Sequence, residues 1–115
     1  MKDEKKNTVL KSCLAKAADL GGLIDYSNDS VVSKTILDKP VGTITLFAFD
    51  AGQGLSEHQA PYDAFVEVVD GIATIIIDGK EITTPAGSII VMPANIPHAV
   101  KAKQKFKMLL TMIRA

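Results

Sequence analysis

The sequence predicts a single all-β domain, a sandwich or a barrel. Three observations carry this. About eight or nine short runs rich in β-branched residues recur at roughly ten-residue spacing. Gly, Pro, Asn and Asp clusters separate them. The chain of 115 residues leaves no room for a second core.

The elements follow in order. Residues 1–8 are polar and read as a tail. Residues 9–20 combine helix formers with Val9 and Cys13, and fit either a short helix or an edge strand followed by one turn. Gly21 and Gly22 end the segment. Residues 1–30 therefore form a tail and arm, and residues 31–115 the domain proper. Residues 31–37 are a β-branched run that Pro40 closes. Residues 41–49 alternate with period two, placing Thr43, Thr45, Phe47 and Phe49 on one face. Residues 64–69, 72–77 and 80–84 read as three strands. Asp70-Gly71 and Asp78-Gly79 stand between them, the pair favoured in tight hairpins. Residues 88–92, 98–102 and 106–113 complete the set. In the last run Phe106, Met108, Leu110 and Met112 share a face.

Composition excludes several classes. The chain is 47% hydrophobic and 23% charged, too apolar for a disordered protein. Thirteen basic and thirteen acidic side chains cancel, so no long-range field recruits nucleic acid or an anionic membrane. No apolar run approaches a bilayer span. Lys2, Lys5 and Lys6 precede no apolar stretch, unlike a signal peptide. The single cysteine, Cys13, cannot form an internal disulfide. A cytoplasmic location is expected, with no nucleic-acid or membrane partner.

Two histidines carry the candidate chemistry. Gly52 is followed after five residues by His58, then Ala60, Ala64 and, six residues on, Gly71. Gly87 is followed after five residues by Pro93, then Asn95, His98 and Ala102. This spacing resembles the two signature motifs of the cupins, G-x5-H-x-H-x3-E-x6-G and G-x5-P-x-G-x2-H-x3-N. The resemblance extends over roughly residues 31–113. It implies a jelly-roll β-barrel (a double-stranded β-helix) whose interior is lined by His58, Ala60, Ala64, His98, Phe47, Phe49, Met92 and Met112.

The departures matter as much. The positions matching the family's four metal ligands are His58, Ala60, Ala64 and His98, so two are alanine. The second motif's glycine is Asn95 and its last asparagine is Ala102. The resemblance thus implies half a site for a divalent metal (zinc, nickel, iron or manganese), with His58 and His98 as its ligands. Glu57, Gln59 and Asp63 each neighbour an inward position, and alternation aims them outward; a kink at Pro61-Tyr62 would reverse that for Asp63. Both histidines also fit a hydrogen-bonded core role without metal.

Three functions stay open. One is a binding module that holds a small molecule between the histidines. The second is an enzyme, dioxygenase- or isomerase-like, using a metal or a neutral histidine as base. The third is a structural barrel. Tyr62 and Phe65 read as core or dimer surface. Met92, Met108 and Met112 read as barrel filling, and Lys101, Lys103, Lys105 and Lys107 as a solvated edge. The resemblance further implies a homodimer paired through its N-terminal segment.

Overall fold

The computed structural model describes residues 8–115. Of the polar tail expected over residues 1–8, residues 1–7 lie outside the described ones, and Thr8 is instead the first residue of a short edge strand paired with Asp38. Among the described residues nine strands form two sheets that share one long strand. They are β1 (Thr8–Val9), β2 (Val31–Lys39), β3 (Gly42–Phe49), β4 (Gly54–His58), β5 (Ala64–Ile77), β6 (Lys80–Pro85), β7 (Ile89–Met92), β8 (His98–Lys101) and β9 (Phe106–Ile113). The first sheet runs β1-β2-β3-β9-β5-β7 and the second β6-β5-β8-β4, every pair antiparallel.

The all-β expectation holds, with one correction of topology. Asp70-Gly71 is not a hairpin. The chain runs through it as β5, and the register with β9 shifts between Val68 and Asp70. The first half of β5 pairs with β7 and β9, the second with β6 and β8. A bulge turns the strand from one sheet to the other, which is how a barrel makes its corner. Gly71 takes φ +75°, and a Cβ there would run into the Lys105 carbonyl and the Phe106 side chain. Only glycine meets both demands. Asp78-Gly79 is the true tight hairpin, with φ of 51° and 79°.

The sheets enclose a core of Phe49, Val66, Val68, Ala73, Ile75, Phe106 and Met108, all at 0% exposure. Phe49 stacks on Phe106 at 4.7 Å between ring centroids and on Phe47 at 5.9 Å. Inward residues farther along the barrel are only partly covered: Phe47, Leu55, Ile77, Ile90, Leu110 and Met112. The barrel is thus packed solid around Phe49 and Phe106 and more open elsewhere.

The N-terminal arm contains no α-helix among the described residues. It gives a two-residue edge strand, β1, and two short 3-10 turns, Lys11–Cys13 and Leu20–Gly22. A second core forms outside the barrel, where Ile24, Leu20, Leu23 and Tyr26 pack on Leu46 and Ala48 of β3 and Leu109 of β9. Tyr26 donates its hydroxyl to Asp70, and the Lys105 and Lys107 ammoniums each lie 4.9 Å from its ring centre. Lys107 also donates to the Gly21 carbonyl at 2.7 Å. Burial first, then the Asp70 carboxylate, pushes the Tyr26 phenol above its ordinary value. Two of the four alternate lysines therefore fasten the arm, and Lys103 pairs with Glu81 at 3.0 Å. Among the described residues no helix is long and apolar enough to cross a membrane.

Candidate functional site

His98 opens β8 and His58 closes β4, and the two are directly paired across the sheet. His98 also pairs with Ile77 at the end of β5, while two residues on Val100 pairs with the core residue Ile75. Period-two geometry therefore turns His98 inward. Along β4, Leu55 pairs with Val100, and a one-residue bulge between Leu55 and His58 restores His58 to that same face. The two rings meet edge to face at 4.4 Å between centroids. His98 is buried, 3% exposed. His58 is exposed and forms the solvent side of the pair.

The hydrogen bonds fix how the rings are used. His58 Nδ1 faces the Ser56 carbonyl at 2.8 Å, and His98 Nδ1 faces the Ile96 carbonyl at 3.2 Å. A carbonyl oxygen only accepts, so each Nδ1 carries the proton and donates it. In the neutral ring Nε2 is then a bare lone pair. The two Nε2 atoms face each other at 3.2 Å. Facing lone pairs repel unless a proton or a cation lies between them. Burial, followed by the neighbouring His58, depresses the basicity of His98 below that of an ordinary imidazole. A bridging proton is thus disfavoured on the buried ring.

This donor set fits a metal ion. Two nitrogens bound to one zinc at about 2.0–2.1 Å stand about 3.3–3.4 Å apart at a tetrahedral angle and about 2.9 Å apart at a right angle. The observed 3.2 Å falls within that span. Backbone carbonyls holding each Nδ1–H are the usual outer support of metal-binding histidines. The described residues contain no cluster of three or more His, Cys, Asp or Glu side chains suited to a metal.

The loops on either side are fastened together. Asn95 N–H donates to the Ala60 carbonyl at 2.7 Å, and Ala94 N–H donates to Asp63 Oδ1 at 2.8 Å. Asn95 sits at φ +63°, the left-handed conformation that the motif's glycine would supply and that asparagine tolerates better than most residues.

The predicted lining residues separate into two groups. Ala64, Met92 and Met112 lie side by side in one register row of the first sheet, all on the barrel side. Phe49 is fully buried, in the solid part of the core. Phe47 and Met112 keep partial exposure. Ala60 lies beyond the end of β4, on the loop that leads to β5, so strand alternation does not govern it. Asp63 is exposed and turned to the outer surface, where it borders a hollow with Phe65 and Val91. Alternation in β3 and its pairing with β9 add Thr43, Thr45 and Leu110 to the barrel face. The period-two pattern of residues 41–49 already set both threonines on the face of Phe47. The two orienting carbonyls, Ser56 and Ile96, had no signal in the sequence.

A family model described as a cupin domain matches residues 45–114. The chain belongs to the cupin family. A conserved protein of unknown function from Streptococcus pyogenes is 37% identical, with a TM-score of 0.84 over 89% of this chain and 90% of that one. A cupin 2 conserved barrel domain protein from Leptotrichia buccalis is 39% identical, with a TM-score of 0.78; the match spans 81% of this chain but only 45% of that one. A salicylate 1,2-dioxygenase from Pseudaminobacter salicylatoxidans superposes with a TM-score of 0.67 over 72% of this chain and 26% of that one. At 13% identity that likeness shows the fold alone. No curated protein matches the chain.

Proposed function

We propose that this cupin binds a small molecule at the open part of its barrel, with a divalent transition metal held by His58 and His98. The observation that carries the reading is the pair of Nε2 atoms facing each other at 3.2 Å, both rings anchored through Nδ1 to backbone carbonyls. When bound, such an ion supplies a Lewis acid for an oxygen or nitrogen donor of the ligand. His98 gives the fixed contact, because it is buried and its basicity is depressed. His58 gives the exposed contact, at the side from which a ligand arrives. Phe47, Leu110 and Met112 offer the ligand's body an apolar wall, with Thr43 and Thr45 as polar points. Wide apolar walls with a few fixed polar groups are the usual character of small-molecule sites. Alanine at two of the family's four ligand positions favours binding, with solvent or ligand atoms completing the shell.

Titration calorimetry with zinc and with nickel on untagged protein tests this. One ion per chain is expected, with binding lost in the His58→Ala and His98→Ala variants. Full affinity in either folded variant would refute the assignment.

A further inference from the structure

One carboxylate on the barrel face is left without a partner by the fold. Along β2, Thr35 pairs with Thr45; the register then shifts, so that Leu37 pairs with Ile44 and Asp38 with Thr43. Strict alternation from Thr35 would turn Asp38 to the outer face. The bulge lets Ile36, which packs on the outer core, and Leu37 both face outward, and it returns Asp38 to the barrel side. There Asp38 ends the row of Thr43, Met112, Ala64 and Met92. The residue is half-buried, yet its Oδ1 is enclosed and has no hydrogen-bond partner among the described residues. No ion pair among them reaches it. Its neighbour Lys39 alternates to the outer face, and the Arg114 guanidinium donates instead to the Lys39 and Pro40 carbonyls, at 2.8 and 3.3 Å. A carboxylate oxygen kept from water without a donor is costly, and a carboxylate without a counter-charge more so.

Asp38 lies at the end of the barrel that holds the site. β2 begins at Val31 beside Phe49, in the solid part of the core, and ends at Lys39 beside Gly42. The histidines open to that same end. The loop after His58 leads to Ala64, the loop before His98 leads from Met92, and the Asn95–Ala60 hydrogen bond joins the two loops. His58 and His98 stand on the second sheet and Asp38 on the first. A molecule in the open barrel thus has the nitrogen pair on one wall and a carboxylate on the other. We propose that Asp38 receives a protonated primary amine of the bound small molecule. This rests on the reading of the open barrel as a small-molecule site and names the class of ligand, an alkylammonium with an apolar body. A ligand hydroxyl would supply a donor but leave the charge unbalanced; an ammonium supplies both. Its three donors match Asp38 and the hydroxyls of Thr43, directly opposite, and Thr45, one row deeper. Met112 and Leu110 wall the alkyl part.

NMR titration of metal-free protein with n-butylammonium and, separately, with n-butanol tests it. Butylammonium should shift the backbone amides of Thr43, Thr45 and Met112 and bind at least tenfold more tightly than butanol. Asp38→Asn keeps the shape and removes the charge, and should bring the two probes to equal affinity. Glu67→Gln removes the same charge from the outer face of the same sheet, where Glu67 alternates with buried Val66 and Val68, and should leave the preference unchanged. If Asp38→Asn fails to fold by circular dichroism, the wild-type preference and the place of its shifts decide. No preference for the amine, shifts away from Asp38 and its neighbours, or an undiminished preference in folded Asp38→Asn would overturn the proposal. The titration contains no metal, so it is separate from zinc binding by the histidines. Absent amine preference with normal zinc binding refutes the role of Asp38 alone; an Asp38-dependent preference without zinc binding supports that role and refutes the metal pair.

Discussion

Removing the two histidines singly should have very different consequences for stability. His98 is 3% exposed, and its Nδ1–H satisfies the Ile96 carbonyl at 3.2 Å. His98→Ala deletes a buried ring, leaves that carbonyl without its donor and opens a void beside Ile77. Ile96 is only half-buried, so loss of this hydrogen bond costs about 0.5–1.5 kcal/mol. Partial collapse of the void adds to this, so about 2–4 kcal/mol in total is expected. His58 is exposed, and water can replace its bond to the Ser56 carbonyl. His58→Ala should stay within about 0.5 kcal/mol of wild type. Urea denaturation of metal-free protein, with the slope held common, measures both from the shift in midpoint. Equal losses in the two variants would refute the division into a buried anchor and a solvent-side partner. A loss of about 2 kcal/mol or more for His58→Ala would make that residue structural, and would count against its availability to a ligand.

Three further outcomes are expected. Gly71→Ala forces a side chain into positive φ against the Lys105 carbonyl, so it should cost about 2 kcal/mol or more by thermal or urea unfolding; Gly79→Ala, at positive φ with open space around it, should cost less. Metal-free protein should lose stability as pH falls below about 6.5, because the unfolded chain takes up a proton that His98, with its lowered basicity, resists; stability is complete above that value, and His98→Gln should flatten the profile. Ala60→His with Ala64→Glu supplies side chains at the two alanine positions that match the family's other ligands; zinc affinity of the folded double variant should rise at least tenfold, about 1.4 kcal/mol, and unchanged affinity would place those positions away from the histidine pair.

Much of the barrel was legible because its strands alternate. Residues 41–49 and 106–113 declare their inner faces by period two, and Phe47, Phe49, Phe106 and Met108 do face one another. Asp70-Gly71 misled because a tight hairpin and a corner bulge both need positive φ. Only pairing with β9, some thirty-five residues away in sequence, distinguishes them. The lysines at 105 and 107 looked like a solvated edge, since nothing local reveals that Tyr26 lies beneath them. Within the site, motif spacing found both histidines but not their orientation. Strict alternation from the core residue Leu55 would have turned His58 outward; the bulge in β4 turns it back toward His98. Ala60 lies past the strand's end, where alternation has no force. The carbonyls of Ser56 and Ile96 belong to backbone, which every residue type supplies alike, so the sequence could not mark them.

The central claim is that His58 and His98 present Nε2 to one shared ion while keeping their protons on Nδ1. Long-range nitrogen–proton NMR of the imidazole rings, during zinc titration, reads this directly. The account predicts that both Nε2 resonances shift together and saturate at one zinc per chain, with both Nδ1 protons retained. A shift confined to one ring, or coordination through Nδ1 of either, would contradict it.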